Sequence, residues 1–145
     1  SVAALEKLKV AAERMHYNGK PLSQDPLFAA RMARVEIDLE NMKTTNLRVI
    51  AAVAGGGVPG AESSMLKIKG TEIRQEILSL TRRAMGPYAV PFVEAAMHDG
   101  YSEAPIGPEE ATAAAAAYFN YRKLSIFGGS NEIQKNIISK MILGL

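Results

Sequence analysis

Cysteine is absent from the 145-residue chain, which excludes disulfides, thiolate nucleophiles and sulfur-bound metal. Tryptophan is also absent, and histidine occurs only at His16 and His98. Neither histidine closes a Glu-x-x-His pair, and a zinc or di-iron site needs more ligands than these, so no metal is expected. An excess of one charge is missing too: 17 Lys and Arg stand against 15 Asp and Glu, net +2 and dispersed, unlike the basic stripe of a nucleic-acid binder. No apolar run approaches the roughly 20 residues that span a bilayer. No charged-then-apolar leader opens the chain, so the reading is of a cytoplasmic protein. Nucleophile-elbow and Walker patterns do not occur. His16 beside Tyr17, and His98 beside Asp99, read as ordinary helix-end or loop residues.

What is present is a single domain's worth of helix. Hydrophobic residues make up 48% of the chain, and a domain of this size buries roughly 70% of its unfolded surface. A helical pattern starts at once with Val2, Leu5 and Leu8, so residues 1–145 are expected to be one domain cut from a longer protein.

The first helix is expected from Val2 to about Tyr17, stopped by Asn18-Gly19 and Pro21. The second is expected from Pro26 to Ala54, with Asp25 as cap and Pro26 at the first position. Its apolar seam is Phe28, Met32, Val35, Leu39, Met42, Val49 and Val53, and Gly55-Gly56-Gly57 with Pro59 end it. The third is expected from Ala61 to Met85, burying Leu66, Ile73, Ile77, Leu80 and Ala84. Gly70 inside it suggests a close neighbour helix, and Gly86-Pro87 closes it.

A short helix is expected over Phe92–His98. An alanine-rich fourth helix follows from Pro108 to about Leu124, and a last one from Ser130 or Asn131 to about Leu143, burying Ile133, Ile137, Ile138 and Met141. No strand is expected, because β-branched residues recur at helical rather than alternating spacing. Long helices with short loops give an all-α fold, an antiparallel four-helix-bundle-like domain with short extra helices.

The most informative stretch is Ser125 to Leu145. A glycine pair there, Gly128-Gly129, opens directly into an amphipathic helix. Glycines let a ligand approach the backbone, and a helix start offers unpaired amides and partial positive charge. An ordinary turn and cap has the same pattern, so this feature alone leaves both readings open.

The run Phe127-Gly128-Gly129-Ser130-Asn131-Glu132-Ile133-Gln134, followed by Lys135-Asn136-Ile137-Ile138, resembles the signature that closes the acyl-CoA dehydrogenase family. Lys67 to Leu80, followed by Met85-Gly86-Pro87-Tyr88, resembles the family helix leading to a glycine pair. The helices between fall in the family order.

The resemblance implies the carboxyl-terminal bundle of an FAD-dependent acyl-CoA dehydrogenase, which oxidises an acyl-CoA thioester between its α and β carbons. Electrons then pass to an electron-transfer flavoprotein, and the bundle forms the core of a homo- or hetero-oligomer, usually a tetramer. Carried over by position, Gly129, Ser130, Glu132 and Arg83 would meet the cofactor, and Phe127 and Gly128 the substrate cavity.

Three departures stand out. Gly128 occupies the position of the catalytic glutamate in many members, so this chain holds no base there, and one would lie upstream of Ser1. Arg83 and Pro87 replace a glutamine and a glycine, and proline has no amide to donate. The family's Arg-x-x-Phe-Gly element is replaced by Met15-His16-Tyr17-Asn18-Gly19. Gly128, Arg83 and Pro87 lean toward a non-catalytic structural subunit, and an acyl-CoA oxidase-like relative and a plain helical interaction module are the other readings in view.

Overall fold

The computed structural model describes residues 1–58 and 60–145. Pro59, expected to help end the second helix, lies outside the described residues. Among the described residues, five helices carry the fold: α1 (Val2–Arg14), α2 (Pro26–Ala54), α3 (Glu62–Met85), α4 (Ala111–Asn120) and α5 (Asn131–Leu143). The all-α architecture read from the sequence is the one observed.

Local chemistry explains most boundaries. The Asp25 carboxylate accepts the Phe28 amide proton at 2.8 Å, with Pro26 at the first turn of α2. Gly86, at φ +56°, ends α3. The first helix stops at Arg14, three residues earlier than expected. There the chain makes a two-strand hairpin, β1 (His16–Tyr17) against β2 (Lys20–Pro21), which corrects the expectation of no strand. The cause is Asn18-Gly19: both residues take positive φ, +51° and +76°, as a two-residue type I′ turn requires. The expected helix over Phe92–His98 is only a 3-10 turn, Glu94–Met97. The fourth helix is shorter than expected, and its last turn tightens into a 3-10 segment, Tyr121–Ser125.

α3 is the hub, packing against α1, α2, α4 and α5. It runs antiparallel to α2: Arg31 pairs with Glu76, and Met42 faces Gly70. A Cβ at Gly70 would lie 3.6 Å from the Met42 sulfur, ordinary contact, so the helices are close there but leave room for alanine. The core is built from Leu5, Leu8, Ala11 and Ala12 of α1, Phe28, Val35 and Leu39 of α2, Ile73, Ile77, Leu80 and Ala84 of α3, and Ala111 and Ala114 of α4. Lys9 bridges α1 to Glu36 of α2 at 2.6 Å, and an Arg14–Glu110 ion pair ties α1 to the start of α4.

Two burial expectations need correction. The α2 seam is buried only at Phe28, Val35 and Leu39. Met32 and Met42 are partly covered, Val49 is half-buried and Val53 is exposed. α5 buries none of its residues: Ile133, Ile137 and Met141 are exposed and Ile138 is half-buried. Helical periodicity identifies which residues share a face, but a face is buried only where another element lies over it. Among the described residues, no element covers the exposed parts of these two faces.

Candidate functional site

The glycine junction has the backbone that the sequence implies. Gly128 and Gly129 both take positive φ, +69° and +81°, a region costly to any residue with a Cβ. Around Gly128 a Cβ would meet nothing within 4 Å, whereas at Gly129 it would run into the Gln134 side-chain amide. That amide donates to the Gly128 carbonyl at 3.1 Å and holds the turn in shape. Phe127 and Ile126 are exposed just before it, so an apolar wall adjoins an open backbone.

Ser130 is the cap of α5. Its hydroxyl oxygen accepts the Ile133 amide proton at 3.3 Å. Glu132 lies in the first turn, where the helix dipole favours negative charge. Its own backbone amide, and next the Ser130 hydroxyl, hold its carboxyl below the ordinary glutamate value of 4.5. The Ser130 hydroxyl oxygen is thus engaged within the chain. A carboxylate at this helix start already meets the positive dipole end, so the junction suits a neutral polar edge better than a phosphate. The left-handed Gly128 and the exposed Phe127 leave the backbone open to a flat ring, the part of a flavin that these residues would suit.

Arg83 is placed elsewhere. It is exposed in the last turn of α3, whereas the junction adjoins Lys67 in the helix's first half. Sixteen residues of helix separate the two, on the order of 24 Å at 1.5 Å per residue. The structure therefore brings Phe127, Gly128, Gly129, Ser130 and Glu132 together and leaves Arg83 apart. His16 and His98 are both exposed and remote from each other in the chain.

Sequence reasoning passed over the residues that anchor this segment. Lys67 Nζ donates to Asn131 Oδ1 at 3.0 Å. Gln75 Nε2 donates to the Tyr121 and Arg122 carbonyls, each at 3.2 Å, and lies 3.4 Å from Ser125 Oγ. Arg122 Nη2 donates back to the Gln75 carbonyl at 3.1 Å. The available signal was a polar series, Lys67, Thr71 and Gln75, at four-residue spacing in a helix otherwise read for its apolar line.

The family profile described as acyl-CoA dehydrogenase, C-terminal domain, matches residues 2–143. No curated protein matches the chain. Among solved structures, the ChsE4-ChsE5 complex from Mycobacterium tuberculosis is similar with a TM-score of 0.69 and 24% identity, covering 99% of this chain and 35% of that one. The electron transferring flavoprotein of Acidaminococcus fermentans, studied for flavin-based electron bifurcation, is similar with a TM-score of 0.72 and 15% identity, covering 98% and 33%. At these identities the likeness is one of fold. The chain spans about a third of each of those chains.

Proposed function

Because the chain belongs to the acyl-CoA dehydrogenase family, as its carboxyl-terminal domain, we propose that it is the helical, cofactor-facing part of a longer FAD-dependent enzyme that dehydrogenates an acyl-CoA thioester. The observation that carries this reading is the open junction Phe127–Glu132: two left-handed glycines, a capped helix start and an exposed aromatic side chain, all adjoining in one chain segment.

In this reading, the bound flavin supplies the acceptor for the hydride that leaves the substrate β carbon. The chain's own residues do the rest. Gly128 keeps the backbone bare so that a flat ring and a thioester can approach it, and Gly129 makes room for the Gln134 amide that holds the turn. Phe127 shields that space from water. The start of α5 offers backbone amides, while Ser130 and Glu132 set its charge. Arg83, a helix length away, would meet cofactor held by another copy or another domain, which ties the oligomer core to the flavin site.

The proton from the α carbon must go to a base outside this chain, since Gly128 has no side chain to take it. An electron-transfer flavoprotein is the partner that would reoxidise the cofactor.

The test is purification of the full-length protein. It is expected to carry stoichiometric yellow flavin and to reduce a dye with an acyl-CoA, while the isolated chain with added FAD does neither. A full-length protein that takes up no added flavin overturns the reading. Gly128 also favours a second one, a structural subunit that holds a catalytic partner. Flavin bound without dye reduction by any acyl-CoA, in a protein with no upstream carboxylate facing the flavin, would select it.

A further inference from the structure

We infer that the polar face of α3, Lys67 and Gln75 with Thr71 between them, positions the glycine junction and so tunes the flavin site without touching it. The inference rests on the function proposed above. The three residues are four apart, so they line one face of a rigid helix. The segment they hold runs antiparallel to that face: Gln75 meets residues 121, 122 and 125, Thr71 Oγ1 lies 3.4 Å from the Leu124 carbonyl, and Lys67 meets residue 131.

Gln75 does two jobs. Its side-chain amide donates to the Tyr121 and Arg122 carbonyls where α4 tightens into a 3-10 turn, the second of them shared with the Ser125 hydroxyl, and its backbone carbonyl accepts from Arg122. Lys67 then fixes the first residue of α5 through Asn131. Between these anchors, residues 126–130 make no hydrogen bond to α3 among the described residues. Gln134, from the next turn of α5, sets their local shape. The junction is therefore a bridge pinned at both ends to one helix. A ligand resting on it feels any change in either pin as a displacement of the backbone. Thr71 is the weakest pin, because its hydroxyl already donates to the Lys67 carbonyl at 2.8 Å.

The test uses the full-length, flavin-loaded protein. Gln75→Glu keeps size and shape but turns a donor into a carboxylate facing two carbonyls and a hydroxyl. It is expected to leave helix content unchanged, to weaken flavin retention roughly tenfold, about the effect of one lost hydrogen bond, and to shift the visible flavin bands and reduction potential. Lys67→Met and Asn131→Ala should each shift the same bands, and the double variant should do no more than either alone. Lys67→Arg, which keeps a donor, should restore the wild-type spectrum.

If Gln75→Glu does not fold, the Lys67–Asn131 cycle decides the matter by itself. Folded Gln75→Glu and Lys67→Met proteins with unchanged flavin affinity and spectrum overturn the positioning role alone. A wild-type full-length protein that binds no flavin overturns the function beneath it, and this inference with it.

Discussion

At the scale of single residues, the two junction glycines are not equivalent. Both occupy left-handed backbone, so an alanine at either pays about 1–2 kcal/mol of strain. Gly129→Ala must also push aside the Gln134 amide and lose its bond to the Gly128 carbonyl, a further 0.5–1.5 kcal/mol or so. Denaturant titration of the chain should therefore rank Gly129→Ala as clearly the more destabilising. Equal losses would mean that the Gln134 contact contributes nothing.

Glu132 gives a pH signature with a definite sign. Its folded-state carboxyl is held low by its own amide and the Ser130 hydroxyl. The stability it adds is present above the unfolded value of 4.5 and is lost as pH falls through the folded value. In denaturant titrations across pH, Glu132→Gln should lower stability at neutral pH, flatten the acid limb in that range, and converge with the wild type below the folded value.

At the scale of elements, α3 and α5 are opposites. Leu80 is fully buried, with 0% of its surface exposed, at the hub of the fold. Leu80→Ala should cost about 2–5 kcal/mol in a denaturant titration. Ile137 on α5 is 36% exposed, and Ile137→Ala should cost roughly 1 kcal/mol or less in the chain by itself. If α5 is covered in the full-length protein, the same substitution should cost more there.

This contrast also shows where sequence reading ran out. The starts of α2 and α5 were legible because Asp25-Pro26 and Ser130 are local signals that work through bonds three residues away. The short hairpin was legible in principle from Asn18-Gly19 but was read only as a stop. The burial of α5 was not legible, since Ile133, Ile137 and Met141 show the same periodicity whether or not a neighbour lies over them. The glycine pair at the junction was visible, but its anchors were not. Lys67 and Gln75 meet residues 46 to 64 positions away, and no local pattern encodes such a pairing.

At the scale of the whole molecule, several exposed apolar residues fall on elements whose periodicity called for burial. Leu47, Ile50 and Val53 at the end of α2, with Ile133, Met141 and Ile142 on α5, face outward. The chain spans about a third of its structural relatives, and these apolar surfaces lie uncovered in it. By contrast, the packed cluster is drawn from α1 to α4 and their connecting turns and contains no α5 side chain. The domain is thus divisible. A version ending at Ser130 should still melt in one cooperative step, though at a lower temperature. In hydrogen exchange on the uncut chain, the amides of α5 should be the first of any helix to pick up deuterium. The helix whose start is proposed to face the cofactor buries no residue of its own, so on that proposal ligand contact and domain stability can be altered one without the other.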